Sequence, residues 1–330
     1  MKQGLKDLGL AVLLGMVLPG LLLHLAVKYG KAPQLMTEET TVCETIPEAG
    51  GKQIPVLFAG GKIEEMELND YLTGVLLAEM PASFEMEALK AQAVVARTYT
   101  IRSEQKGKHD EAVVCADSTC CQGYCAPDDY IKDGGTQENV DKMRQAVTQT
   151  DEQVLVYNGE LIEATYFSCS GGMTEDAVAV WGTDVPYLLA VRSPGEEEAT
   201  HYEDLQVFSR EEVCSRLGID PELATGTLFG KMTFTVGGGV ETATVCGKEF
   251  SGTELRRLLH LYSTAFTVDQ SGENVTFHTR GYGHRVGMSQ YGADAMALDG
   301  SDYQQILAYY YQGTELRKLS DSQRDIIGIK

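Results

Sequence analysis

The chain has 330 residues, 43% of them hydrophobic and 23% charged, values of a globular protein that exclude whole-chain disorder and a collagen-like fibre. With 27 Lys and Arg against 48 Asp and Glu, its formal charge is −21, so it lacks the basic footprint that holds phosphate and nucleic acid is excluded as a partner.

The first 34 residues read as a membrane anchor. Residues 8–27 form a nearly unbroken apolar stretch, Leu-rich from Leu8 to Val27. Roughly 20 such residues are needed to cross hydrocarbon as a helix. Lys2 and Lys6 precede it and Lys28 and Lys31 follow it, so charge orients it only weakly, with the N-terminus inside. The alternatives are a cleaved signal peptide or a buried core helix. A signal has a shorter apolar core, about 7–15 residues, and a small-residue cleavage site, which is missing after Val27. A polar linker with Pro47 and Gly50 occupies residues 35–51.

Short apolar bursts around Gly60 and Gly61 predict a hairpin over 52–67. Asn69 is placed to cap a helix ending near Met80, where Pro81 stops it. Ser83 is placed to cap a second helix over 84–104. A Cys-rich loop covers 109–129 and a helix 137–149. Strands are expected at 153–157, 160–167 and 188–191. The acidic stretch 193–204 marks a boundary, and 208–217 reads as a helix. A hairpin is expected over 231–245, a short helix over 252–260, a strand over 274–279, a Gly-rich run over 281–292 and a last helix over 302–311. The fold class is α+β, mixed helices and antiparallel strands, preceded by one transmembrane helix. Residues 52–194 and 267–330 form the main domain, and 195–266 form a small inserted β-rich module.

Three constellations carry chemistry. The first is Glu79 in Leu77-Ala78-Glu79-Met80-Pro81. At the last turn of a helix, the negative end of the dipole and apolar neighbours both disfavour its charged form, so its pKa should rise. That suits a general acid, although a buried structural Glu has the same residue pattern. The second is His109, Cys115, Cys120, Cys121 and Cys125, five soft ligands in a short loop. Four of them would satisfy a tetrahedral Zn²⁺; disulfides and free thiols are the rivals. The third is the Gly-rich run from Gly281 to Gly292, a loop able to approach a ligand closely or simply a tight turn into a helix. Ser168-Cys169-Ser170-Gly171-Gly172, followed by Trp181-Gly182, is a similar element.

At these residues the sequence resembles the stage II sporulation protein D family, the amidase-enhancer-like lytic transglycosylases of spore-forming bacteria. The matching stretches are Glu79-Met80-Pro81, Ala88-Leu89-Lys90-Ala91-Gln92-Ala93, Ala96-Arg97-Thr98-Tyr99, Tyr166-Phe167-Ser168 with Ser170-Gly171-Gly172, Val180-Trp181-Gly182, Val185-Pro186-Tyr187-Leu188, Gly283-His284 with Val286 to Ala293, and Gly313-Thr314-Glu315-Leu316. They span roughly residues 60–320 in family order.

The resemblance implies cleavage of the MurNAc–GlcNAc bond of peptidoglycan glycan strands, preferably stripped of stem peptides, during engulfment in sporulation. Glu79 matches the catalytic acid, and the MurNAc C6 hydroxyl would attack C1 to leave a 1,6-anhydro end. His284, Ser289, Gln290 and Tyr291 are carried over as sugar-binding residues, with Gln92, Arg97, Ser168 and Ser170. A structural zinc held by His109, Cys115, Cys120 and Cys121 is implied, with Cys120 where a His is usual and Cys125 as its competitor. Arg285 stands where the family has Gly: either the backbone there does not need positive φ, or the loop binds sugar differently. The implied partners are a cell-wall amidase and other engulfment proteins. The implied place is the mother-cell membrane, single-pass, with the C-terminal domain extracytoplasmic and facing the forespore. The rival functions are a noncatalytic glycan-binding scaffold that recruits or enhances the amidase, and a zinc hydrolase.

Overall fold

The computed structural model describes residues 51–319 apart from 221, 223–225 and 271–273. The expected membrane helix at 8–27 lies outside the described residues; among them, no helix is long and apolar enough to cross a membrane. What they form is mixed α/β with mainly antiparallel sheets.

In chain order, β1 (Gln53–Leu57) and β2 (Ile63–Glu67) make the expected hairpin. Helices α1 (Leu68–Glu79) and α2 (Met86–Lys106) follow, then β3 (Val114–Cys115), α3 (Pro127–Lys132) and α4 (Gln137–Gln149). Next come β4 (Gln153–Tyr157), β5 (Glu160–Leu161), β6 (Tyr166–Phe167), α5 (Ala177–Trp181), β7 (Glu203–Ser209) and α6 (Arg210–Leu217). The chain continues through β8 (Phe229–Phe234), β9 (Val240–Val245), β10 (Lys248–Ser251), α7 (Gly252–Leu259), β11 (Phe266–Asp269) and β12 (Asn274–Arg280). It closes with β13 (Met288–Ser289), α8 (Gln290–Leu298), α9 (Tyr303–Tyr310) and β14 (Glu315–Lys318).

The main core is built around α2. Its small residues Ala88, Ala91, Ala93 and Ala96 are fully buried, so α1, α4, α8, α9 and β4 all reach it closely. Its cap differs from expectation. Phe84 N–H closes a turn onto the Pro81 carbonyl and Glu85 N–H donates to Asp294 Oδ1 at 2.6 Å, so the helix starts at Met86 rather than Phe84. For α1 the cap is Glu67, whose carboxylate accepts from Asp70 N–H, rather than Asn69. The strand expected over 160–167 splits: β5 pairs β4, whereas β6 pairs β13 in another sheet. Residues 188–191 form no strand; Val191 exchanges hydrogen bonds with Thr174 and packs into the main core. The helix expected from Phe208 begins at Arg210, because Phe208 completes β7 and Ser209 caps the helix.

A second hydrophobic core runs from Phe208 to Phe277, packing α6 and α7 against the sheets β11-β12-β7 and β10-β9-β8. One polar clasp joins this module to the main core. Arg285 is 2% exposed and Glu175 1%. The Arg285 guanidinium donates to the carbonyls of Ser170 (2.8 Å), Met173 (2.7 Å) and Gly237 (2.7 Å), and to Glu175 Oε1 at 3.3 Å. Glu175 Oε1 also accepts from Thr235 Oγ1 and Gly239 N–H, both at 2.8 Å. The turn between β8 and β9 is thereby held, and Gly237 lies so close to Thr174 and Glu175 that a side chain there would overlap them. Arg285 has φ 66°, so the backbone does need the left-handed region that favours Gly. The side chain is committed to the clasp and not to sugar.

Arg285→Ala should therefore cost about 3–5 kcal/mol of unfolding free energy, because it leaves the Glu175 carboxylate buried and unpaired. Denaturant unfolding of the single variant and of Arg285→Ala/Glu175→Gln checks this: the double variant should regain part of the loss.

Candidate active site

Glu79 is the last residue of α1, half-buried, with Pro81 ending the helix just beyond it. Its Oε1 accepts from Gly123 N–H at 2.6 Å. Burial disfavours its charged form and pushes its pKa above the ordinary carboxylate value; the Gly123 N–H and the Tyr166 phenol offset part of that rise. Tyr166 is held in turn. Its hydroxyl donates to Gln122 Oε1 at 3.4 Å, and Gln122 Nε2 donates to Thr100 Oγ1 at 3.1 Å. Glu79 thus meets a preorganised wall on one side and open space on the other.

Two cavities open on it. One, of about 290 Å³, is bounded by Glu79, Tyr99, Tyr166, Ser168, His284 and Gln290 among others. The second, of about 390 Å³, lies past Met80 and Pro81 and shares Ser168 and Gln290, adding Tyr291. The Gln290 amide nitrogen is buried and has no hydrogen-bond partner among the described residues. Val286 N–H donates to His284 Nδ1 at 3.1 Å. Burial and the nearby Arg256 charge lower His284 to about 4, so its imidazole is neutral at neutral pH.

Of the residues expected to bind sugar, Ser168, His284, Gln290 and Tyr291 line these cavities. The other four line neither and are fully or nearly fully buried. Ser289 caps α8 by accepting from Gly292 N–H. Ser170 donates to Glu196 Oε2 at 2.8 Å. Arg97, 1% exposed, donates to the Thr150 and Val147 carbonyls at 2.7 and 3.0 Å and so ties α2 to the end of α4. Gln92 sits inside the core, and neither amide atom has a partner among the described residues. Sequence reasoning missed Tyr99, Tyr166 and Tyr282 as lining residues, although the first two stand inside stretches on which the resemblance was drawn.

His109, Cys115, Cys120 and Cys121 come together, their ligand atoms all within 4.8 Å of one another. Cys115 arrives on β3, and a turn at Asp117, whose carbonyl accepts from the Cys120 and Cys121 N–H groups, brings the other two thiols round. Burial raises the Cys121 thiol, but hydrogen bonds from the Cys115 backbone and from His109 outweigh it and hold it at about 7. Three thiols and one imidazole are a donor set that fits a metal ion. Cys125 is outside the cluster and donates to the Ala126 carbonyl. Cys121 also lines the cavity beside Glu79, and Gly123 follows it by two residues.

The profile of a family described as "Stage II sporulation protein" matches residues 59–157. The chain is 36% identical to Stage II sporulation protein D of Bacillus subtilis (strain 168), over 96% of this chain and 96% of that protein. It is 36% identical to the protein of the same name from Bacillus amyloliquefaciens, over 77% of this chain and 75% of the relative. The Amidase enhancer of Bacillus subtilis is 32% identical over 74% of this chain, which spans 40% of that longer protein.

If the four clustered ligands hold the metal, Cys120→Ser should lower metal bound per chain, and Cys125→Ser should leave it unchanged. Cobalt loading followed by thiolate-to-metal absorption measures this; equal loss in both variants would reassign the fourth ligand.

Proposed function

The chain belongs to the stage II sporulation protein D family, and we propose that it is a lytic transglycosylase that cleaves the MurNAc–GlcNAc bond of peptidoglycan during engulfment. The observation that carries this reading is Glu79: a half-buried carboxyl with a raised pKa, facing two cavities and held by the backbone amide of Gly123. Such a group stays protonated closer to neutral pH than an ordinary Glu and can give its proton to the leaving glycosidic oxygen. The bond from C1 to that oxygen breaks. The carboxylate then takes the proton of the MurNAc C6 hydroxyl as that oxygen bonds to C1. The proton count closes on one carboxyl, no water is consumed, and a 1,6-anhydroMurNAc end remains. A pair of carboxylates, as ordinary glycosidases use, is not required.

Zinc is the metal proposed for His109, Cys115, Cys120 and Cys121. Four protein ligands leave no open position for a reacting water, so its part is structural: it would fix the loop that presents Gly123 N–H to Glu79. Residues 8–27 are proposed as a single-pass anchor in the mother-cell membrane, with the remainder extracytoplasmic and facing the forespore. A cell-wall amidase that strips stem peptides, and other engulfment proteins, are the proposed partners. A second reading, a noncatalytic glycan scaffold that enhances the amidase, is favoured by the relative named Amidase enhancer.

Incubation of the full-length chain and its Glu79→Gln variant with peptide-free glycan strands separates these readings. The expected result is 1,6-anhydroMurNAc ends by mass spectrometry from the wild type, and at least a hundredfold fewer from the variant, within the usual worth of general acid catalysis, about 10²–10⁴-fold. Binding by both without cleavage by either would favour the scaffold, and reducing ends would mean hydrolysis. The pH profile follows from the same carboxyl. Activity needs protonated Glu79, so it should fall as pH rises through a midpoint above the ordinary Glu value of about 4.3. Tyr166→Phe removes a contact that lowers the Glu79 pKa and should move that midpoint to higher pH.

A further inference from the structure

Tyr282 and His284 line the cavity beside Glu79 and also a third cavity of about 500 Å³, so the two are neighbours. The far wall of the third cavity is α7 of the module, with Arg256, Arg257 and His260 facing Tyr262 and Tyr282. In a chain of charge −21, this lining holds two Arg and, among the described residues, no Asp or Glu. Arg257 lies near Glu254 on its own helix. Arg256 is half-buried, and its guanidinium has no hydrogen bond or ion pair among the described residues; the Tyr282 phenol and the His284 ring are the titratable groups near it. A guanidinium carries five donors in a fork that matches a carboxylate, so leaving it half-buried and unpaired is a cost that a bound anion would offset.

The opposite wall is stiff. The His201 ring stacks on both Tyr262 and Tyr282, with centroids 4.7 and 4.8 Å away, the two tyrosine rings lie 5.6 Å from each other, and His201 Nδ1 bonds Asp204 Oδ2 at 2.6 Å. Tyr282 is nevertheless 42% exposed and offers an aromatic face to the groove. An aromatic platform opposite a fork of donors is what a sugar carrying a carboxylate needs.

We propose that this third cavity is a distal glycan subsite in which Arg256 binds the lactyl carboxylate of a MurNAc residue away from the bond beside Glu79. The assignment rests on the peptidoglycan reading above. Through it the inserted module selects strands by the free carboxylate that removal of a stem peptide exposes. Stem peptides also carry carboxylates, so the test must tell the two sources apart.

Binding is read by titration on the full-length chain carrying Glu79→Gln, which stops turnover. Three strands are compared: peptide-free, peptide-free with the lactyl carboxyls reduced to alcohols, and peptide-bearing. Arg256→Gln should weaken binding of the first about tenfold, the scale of one charge-assisted hydrogen bond. It should leave the other two within twofold, with an unchanged melting temperature because Arg256 holds nothing else. Arg256→Lys should recover part of the loss. An equal loss on reduced strands, or a loss confined to peptide-bearing ones, overturns the assignment. If carboxylate discrimination holds while wild type makes no anhydro ends, the subsite stands and the reaction does not. If anhydro ends form and Arg256→Gln still prefers the carboxylate strand as wild type does, the reaction stands and the subsite does not.

Discussion

The buried pair of Arg285 and Glu175 is the constraint on which the site depends. It draws together the carbonyls of Ser170 and Met173, the turn at Gly237 and the start of the Gly-rich loop. Each alone would leave polar groups stranded in the interior, and burying them is tolerable only because they bond one another. A second buried carboxylate works beside it. Glu196 accepts from Ser170 N–H, Ser170 Oγ and Gly171 N–H, and from Ser193 Oγ at 2.5 Å. Together the two carboxylates hold the segments that carry Ser168, His284 and Gln290 to the cleft. The Gly-rich loop owes its shape to these bonds, and its polar side chains divide between anchoring and facing the ligand space.

Glu79 is governed by an opposite balance. A carboxyl surrounded by donors is stabilised in its charged form. Glu79 is given one backbone donor and a phenol against a larger burial cost, and that shortfall raises its pKa. The thiol and imidazole cluster bears on this balance, since Cys121 and Gly123 belong to one short stretch of loop.

Much of this was legible in the sequence where the signal is local. The helix Gln137–Gln149 and the β4 strand Gln153–Tyr157 are found where the pattern puts them, because periodicity and alternation are read from neighbours in the chain. The position of Glu79 was legible for the same reason, since Pro81 fixes the helix end; its raised pKa comes from burial, which the chain order does not give. β7 was hidden because its exposed Leu205 and Val207 face away from the core and only Phe208 is buried, so its apolar residues do not mark an inner face. Arg97 was misplaced because its partners are backbone carbonyls of Thr150 and Val147, which no side-chain pattern advertises. Arg285 gave no clue to its role, since its partners lie more than 45 residues away.

The separation along the chain between Glu175 and Arg285, 110 residues, has a bearing on how the protein comes into being. Everything between the two must be made before the clasp can close, and closing a loop of that length is slow beside forming local helices. A chain emerging from its N-terminus carries the α1 carboxyl early, yet the segments that complete the cleft around it arrive only after the module has been synthesised. An unfinished or truncated chain would have the acid without the groove. The cleft is thus shared between segments on either side of the module, Ser168 before it and His284 and Gln290 after it.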